Sequence, residues 1–315
     1  MISVVIPYHG RIDLVIKCVE SIAISLPPGS EILLIDDGTE ETESATLVDY
    51  CTSLRQERLD LTILTFHYKR SGNVSFLRNE GARQSSGDLL VFADSDVAVS
   101  EDWFSEVTRF LGDHPDCGCV SSIVYGPDGN VQHSGLSFSS RIHAILYLFS
   151  RGTKEADHYK VDVVNNIFAL RKDAFLKCGG FNNEIAIMGD ETWLQFSLRA
   201  VGYYSYMTTS TKAYHMKPSI TSFSDRVRKY DSSRHKSMVM EGIIIQSYFL
   251  RSLPYIVFYS LYVIRQLSAS LIILCASLVG FNGRIGLRRF FDTVDAILVA
   301  SAMIVRRRKT FNHVR

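Results

Sequence analysis

In LLVFADSDVAV, residues 89 to 99, an apolar run fit for a buried strand stops at two carboxylates, Asp94 and Asp96, with Ser95 between them. Charges so close repel, which raises a pKa or calls for a cation, and hard oxygen ligands suit Mg²⁺ or Mn²⁺. Magnesium takes one or two protein carboxylates and fills its octahedron with water and phosphate oxygens, so the fitting partner is a metal-bound diphosphate. Alone, the pair reads equally as a polar turn. Asp36-Asp37-Gly38-Thr39 poses a similar choice between a capping turn and carboxylates that accept hydrogen bonds from a nucleobase imide or ribose hydroxyls. Asp190-Glu191, in IMGDETWLQFSLRAVGY, opens a helix with Trp193, Leu194, Leu198 and Val201 at helical spacing. Acidic residues there are either favoured by the helix dipole or serve as a general base for an acceptor hydroxyl. His215, in KAYHMKPS, reads by itself as a strand-end histidine. Arg78 and Asn79 read as a solvated helix face or as nucleotide contacts, and Gly81 beside them permits close helix–sheet packing. His9, His133 and His143 have no supporting context.

Such side chains act together only where a fold gathers them. The first half alternates short β-branched runs with amphipathic or polar stretches, the pattern of βαβ units around a mainly parallel sheet. It predicts strands at Ser3–Ile6, Glu31–Ile35, Thr62–Phe66, Asp88–Ala93 and Gly118–Tyr125, with helices over Ile12–Ile24, Glu41–Glu57, Val74–Gln84 and Asp102–Gly112. Open α/β sheets bind ligands outside the carboxyl ends of their strands. Here three strands end on Pro7-Tyr8-His9, Asp36-Asp37-Gly38 and Asp94-Ser95-Asp96. From Pro127 to Met216 come a hairpin signal (YGPDGNVQHSG), a strand-like VDVVNNIFAL, a helix over Arg171–Lys177, a Gly-Gly turn and a helix from Asp190 to Val201. This middle region reads as the acceptor side of the same domain.

Composition removes several alternatives. The 315 residues suffice for one large domain, or a domain with an appendage. Basic and acidic residues number 34 and 33, leaving a net charge of +1 and no electrostatic case for nucleic acid. Cys18, Cys51, Cys117, Cys119, Cys178 and Cys275 form neither a CxxC pair nor ligand spacing with histidine, which fits a reduced, cytosolic setting. MISVVIPYHG lacks a basic n-region and a long apolar stretch, so it reads as a strand and not as a signal peptide. No GxGxxG follows the first strand, and no GxSxG supports acyl transfer.

The character changes near residue 225, which divides a 1–225 α/β domain from a 226–315 basic and apolar helical region. RVRKYDSSRHK, at 226 to 236, is basic, and apolar residues then dominate until RRRK at 306 to 309. Ser252–Ile264 and Gln266–Gly283 carry no charge, with Arg265 between them. A spanning helix takes about 20 apolar residues. These stretches suit helices lying on a membrane surface, with basic flanks for anionic headgroups; a transmembrane hairpin is the alternative.

In order, SVVIPYHGR, EILLIDDGTEE, GNVSFLRNEGARQSSGDLLVFADSDV, CGGFNNEIAIMGDETWLQFSLRAVGY and AYHMKPS resemble the family 2 inverting glycosyltransferases with the GT-A fold, over about residues 1 to 216. RKYDSSRHK with the apolar tail resembles the bacterial polysaccharide subset, including rhamnosyltransferase-like members. The resemblance implies an α/β nucleotide-diphospho-sugar transferase fold in which Pro7, Asp36, Asp37, Arg78 and Asp94 meet the donor. Asp94 and Asp96 become a DxD motif for Mg²⁺ or Mn²⁺, with Asp96 the direct ligand, Asp94 nearer the sugar or ribose, and His215 facing the metal or diphosphate. The base is Glu191 or, with a shifted turn, Asp190, because Gly-Asp-Glu stands where the family has Gly-Glu-Asp. His9 replaces a common Asn, and His235 stands where the subset often has Asn.

The implied reaction moves a sugar from a nucleotide-diphosphate donor to a hydroxyl of a glycan or lipid-linked acceptor by one displacement. It would serve cell-surface polysaccharide synthesis at the cytoplasmic face of a membrane. A sugar nucleotidyltransferase would want a Gly-rich basic loop after the first strand, and PYHGRID has one glycine. A non-catalytic sugar-nucleotide-binding protein would tolerate loss of the carboxylates, and all are present.

Overall fold

The computed structural model describes residues 1–138, 150–151, 156–217, 232–249, 254–280 and 283–311. The chain forms two compact units, one of Met1–Ser137, Arg151–Asn183 and Leu194–Ser219, the other of Phe138–Ser150, Glu184–Trp193 and Ile220–Arg315.

The first unit opens with β1 (Ile2–Tyr8), α1 (Ile12–Ser25), β2 (Glu31–Asp37), α2 (Glu41–Glu57), β3 (Thr62–Tyr68), α3 (Val74–Gln84) and β4 (Leu89–Ala93). β5 (Val97–Val99), α4 (Trp103–Asp113), β6 (Cys117–Tyr125), β7 (Val131–His133) and β8 (Leu136–Ser137) follow. After β9 (Ser150–Arg151) come β10 (His158–Val161), β11 (Ile167–Arg171), α5 (Lys172–Cys178), α6 (Asp190–Ala200) and β12 (Tyr204–His215), of which Ser150 and the first four residues of α6 belong to the second unit. The sheet runs β10-β12-β6-β11-β4-β1-β2-β3, with β5 beside β12 and β7 beside β6. β3, β2, β1 and β4 are mutually parallel, as the βαβ pattern requires. β11 runs antiparallel to both neighbours, and β12 returns parallel to β6.

Side chains alternate across each strand, so one strand feeds two cores. Val4 and Ile6 of β1 with Ile32 and Leu34 of β2 pack under Val15 and Val19 of α1, Leu47 of α2 and Phe104 of α4. Val5, Leu33 and Ile35 face the opposite way, against Leu77 of α3, Phe175 of α5 and Leu194 of α6. The result is an α/β/α sandwich buried on both faces, which is why its central strands read as unbroken apolar runs. The expected helices over 41–57 and 74–84 match α2 and α3 residue for residue.

Two expectations change. VDVVNNIFAL is not one strand: β10 ends at Val161, β11 begins at Ile167, and Asn166 between them has φ +67°. Gln195 of α6 clamps that break, its Oε1 accepting from Val164 N at 2.7 Å and its Nε2 donating to Val164 O at 2.6 Å. The Gly-Gly region is followed by more than a helix, since β12, a twelve-residue strand, fills the space between β6 and β10.

In the second unit α7 (Ser232–Phe249), α8 (Pro254–Gly280) and α9 (Gly283–Phe311) are tied by polar groups as well as apolar ones. Ser232 donates to Asp292 at 2.6 Å, His235 bonds Thr293 at 2.8 Å, and Ser270 of α8 meets the same Thr293 at 2.7 Å. Burial, then the Arg289 charge, push the His235 pKa down to about 4, so it packs neutral. Among the described residues no helix is long and apolar enough to cross a membrane. Leu261, Ile264 and Ile272 on α8 and Leu287, Phe291 and Leu298 on α9 are nevertheless solvent-exposed. Residues 226–231 of the basic stretch, and His143, lie outside the described residues.

Gly81 is where α3 comes down onto the sheet. A Cβ there would stand 2.2 Å from Val5 Cγ1 and 3.2 Å from Ile35 Cγ1. Gly81→Ala is therefore expected to lower stability by about 1–3 kcal/mol, outweighing alanine's helix preference, and a denaturant titration reads it. An unchanged or raised midpoint would show that Val5 yields freely.

Candidate functional site

The strand ends gather the carboxylates as the topology requires. β4 stops at Ala93, and Asp94-Ser95-Asp96 crosses to β5, which pairs with the last residues of β12. That crossing places His215 opposite Val97 and lets Met216 N donate to Asp96 O at 2.8 Å.

The two carboxylates of the pair have separate partners. Asp94 takes Arg78 Nη2 at 2.8 Å on one oxygen and Asn166 Nδ2 at 3.3 Å on the other. Asn166 also accepts from Asp94 N through its carbonyl at 2.8 Å, so the left-handed residue in the strand break grips Asp94 twice. Arg78 is 2 % exposed, with its guanidinium 5.4 Å from the Phe181 ring centroid and 6.0 Å from that of Phe168. It is thus no solvated face residue. Its charge is directed at Asp94.

Asp96 is buried, with Oδ1 3.5 Å from His215 Nε2 and Oδ2 bonded to Lys217 Nζ. Burial works to raise its pKa, but the hydrogen bonds and charges of His215 and Lys217 outweigh it and hold the carboxyl at about 2. In turn, the Asp96 carboxylate raises the His215 pKa against the effect of burial. His215 Nδ1 lies 3.0 Å from Lys217 O, a bond in which the ring must donate, so Nε2 is the nitrogen turned to Asp96. A histidine that donates one ring N–H to a carbonyl and offers the other nitrogen beside a carboxylate is built as a metal ligand is.

Those features fit a divalent cation that draws its remaining ligands from water and phosphate. Among the described residues no group of three or more His, Cys, Asp or Glu side chains forms a metal cage, and a diphosphate-bound magnesium does not need one. The Lys217 ammonium standing on Asp96 already shows that the carboxylate takes a cation.

At the neighbouring strand end Asp36 and Asp37 are both buried. Asp36 accepts from Thr39 N at 3.0 Å and pairs with His67 at 2.9 Å. Asp37 accepts from Arg70 at 2.6 Å, from Ser71 N and Oγ at 2.7 Å each, and from Gly72 N at 2.9 Å. Four donors nearly fill a carboxylate, so Asp37 fixes the 70–72 loop that leads into α3. Pro7 is buried within β1, and His9 is exposed just beyond it. Beside His215, Leu14, Lys17, Tyr125, Lys212, Tyr214 and Met216 help line a cavity of about 680 Å³.

Asp190 and Glu191 belong to the second unit. Gly189, at φ +86°, accepts from Trp193 N at 2.9 Å and so precedes the helix as its cap, placing Asp190 and Glu191 in the first turn. Asp190 is fully buried, whereas Glu191 is partly exposed. Thr192 donates to Glu241 of α7 at 2.6 Å, and a Cβ on Gly189 would come within 2.9 Å of Glu241 Cβ. Lys217, Asn166 and Glu241 had no local signal in the sequence. Each is known only by a partner far along the chain.

The sequence model described as Glycosyl transferase family 2 matches residues 3–179. The O-antigen biosynthesis protein RfbC of Myxococcus xanthus is 25% identical over 226 residues, which are 68% of this chain and 17% of that protein. This chain therefore spans a small part of that relative. Among solved structures, GalNAc-T7 with UDP, GalNAc and Mn²⁺ superposes with a TM-score of 0.59 at 16% identity, covering 81% of this chain and 52% of that one. The Pyrobaculum calidifontis mannosyltransferase PcManGT, in complex with GDP-Man and Mn²⁺, gives 0.55 at 11% identity, covering 96% of this chain and 86% of that one. Likeness at such identities concerns the fold, which is the GT-A fold.

The His215–Asp96 pair has a pH signature. A histidine pKa raised by folding adds stability in full below its ordinary value of about 6.5 and loses it as pH rises through the raised value. Asp96→Asn is expected to move the His215 titration, followed by NMR of its imidazole protons, down toward the ordinary value. A titration that does not move would mean the imidazole takes its proton affinity from elsewhere.

Proposed function

Because the chain belongs to glycosyl transferase family 2, we propose that it is an inverting glycosyltransferase that moves a sugar from a nucleotide-diphosphate donor to a hydroxyl of a glycan or lipid-linked acceptor, in cell-surface polysaccharide synthesis. The observation that carries this reading is the Asp96–His215 pair, with its oriented imidazole, at the carboxyl end of β4. Asp96 and His215 would hold Mg²⁺ or Mn²⁺. When bound, such an ion neutralises the charge that gathers on a departing diphosphate.

The protein's own groups do the rest. Arg78 and Asn166 hold Asp94 in orientation, so that its partly open carboxylate accepts hydrogen bonds from the donor's sugar or ribose. The fixed 70–72 loop and the strand end at Asp36-Asp37 border the nucleoside. Glu191 takes the proton from the attacking acceptor hydroxyl as the anomeric carbon is displaced, and one displacement inverts that carbon. We prefer Glu191 to Asp190 because a base must meet its substrate, and Asp190 is fully buried. Tyr125 and Tyr214, whose ring centroids lie 6.2 Å apart, give the cavity beside His215 aromatic walls suited to a saccharide.

Release of nucleoside diphosphate from a panel of nucleotide sugars tests this directly. With Mn²⁺ the wild type is expected to turn over one of them, and EDTA to abolish that turnover. Asp96→Ala should remove activity, and Glu191→Gln should cost about 10²–10⁴-fold in transfer to acceptor. Asp190→Asn should cost mainly stability. Turnover indifferent to EDTA, or full activity in both Asp96→Ala and Glu191→Gln, would refute the mechanism.

We further propose that the second unit rests on the membrane surface, at the cytoplasmic face. The exposed Leu261, Ile264 and Ile272 of α8 and Phe291 and Leu298 of α9 support this, since apolar side chains with basic flanks suit an interface of anionic lipid. Full-length protein is expected to sediment with phosphatidylglycerol-containing vesicles, and Phe291→Ser with Leu298→Ser to weaken that binding. A wild type that stays in the supernatant at low salt would contradict it.

A further inference from the structure

Both oxygens of Asp96 are occupied before any ligand arrives, and one of their partners is itself a cation. Lys217 Nζ bonds Oδ2, while His215 faces Oδ1. Lys217 is fastened by its backbone, not by its side chain. Its carbonyl accepts from Gln132 Nε2 at 2.9 Å and from His215 Nδ1 at 3.0 Å. The lysine side chain is one-third exposed, against 9 % for that of Asp96. An anchored backbone with a half-open ammonium on a flexible stem is suited to exchanging partners without disturbing the strand end.

We propose that Lys217 is an internal counter-ion that makes metal binding depend on the nucleotide diphosphate. An ammonium cannot ligate a metal, and a metal drawing on the Asp96 carboxylate must share or displace it. In the donor-free protein a divalent cation therefore competes with Lys217. A diphosphate changes the balance twice, because its oxygens complete the metal's coordination and give the displaced ammonium a new anionic partner. Coupling of this kind is reciprocal: whatever diphosphate does for metal affinity, metal does for diphosphate affinity. It prevents the deep carboxylate from holding a metal ion idly, and it would place Lys217 on the leaving group when the donor is bound. The proposal rests on the reading of Asp96 as the metal ligand, and the two can fail separately.

The test is Mn²⁺ binding to full-length protein, without any nucleotide, followed by the electron paramagnetic resonance signal of free Mn²⁺. Lys217→Met is expected to bind Mn²⁺ roughly tenfold or more tightly than wild type, Lys217→Arg to resemble wild type, and Asp96→Asn to lose the site. Adding UDP, GDP or dTDP should tighten Mn²⁺ binding in wild type and do so much less in Lys217→Met. If Lys217→Met, shown folded by its thermal transition, binds Mn²⁺ no better than wild type, the counter-ion role is overturned. If Asp96→Asn binds Mn²⁺ as well as wild type does, the metal site itself is misplaced and both readings fall.

Discussion

Two carboxylates one residue apart at the end of a buried strand can both stay ionised only if each has a positive or donating partner of its own. The structure meets that constraint by dividing the pair. Asp94 is given to Arg78 and Asn166, and Asp96 to His215 and Lys217. Much of the first unit follows from placing those four residues. Arg78 reaches Asp94 because α3 lies close on the sheet, an approach that Gly81 permits against Val5 and Ile35. Asn166 is in place because the chain breaks between β10 and β11, where Gln195 grips Val164. His215 and Lys217 arrive on the end of β12.

The division also separates function from support. Arg78 is buried against two aromatic rings, and losing it would leave a carboxylate without its counter-charge, an expensive change wherever water is scarce. Asp96 has partners of another kind, a histidine and a flexible lysine at the chain's exit from the sheet. One carboxylate is held still and the other is held ready. The proposed function, in which a charged diphosphate enters and leaves, would draw on both.

How much of this could be read beforehand depends on the distance over which the signal acts. β1, β2 and β4 were legible because burial on both faces demands unbroken apolar runs, and α2 and α3 because their periodicity is local. Asp94, Asp96 and His215 stood out by their types and order along the chain, and the fold brings Asp96 and His215 together. β12 was not, since YSYMTTSTKAYH carries threonine, serine and lysine along a strand whose faces are unequally covered, and its apolar run is broken. Five residues part β10 from β11, yet VDVVNNIFAL looks continuous because hydrophobicity does not report the left-handed turn at Asn166. Lys217 meets Asp96 121 positions away, and no spacing rule reaches that far.

The same reasoning bears on Asp36 and Asp37, which are easily read as free acceptors for a nucleobase or ribose. Asp37 spends its oxygens on Arg70, Ser71 and Gly72, so its contribution is to shape the loop entering α3. Asp36 is less committed, because one of its two partners is the half-exposed ring of His67. That ring can turn away where a peptide N–H cannot. Asp36 and Asp96 thus each count a surface side chain, His67 or Lys217, among their partners, whereas Asp94 is held by the buried Arg78 and Asp37 by four donors of one loop. Burial by itself disfavours a carboxylate's charge, so at both strand ends it is the neighbouring donors, and not the burial, that hold these side chains in place.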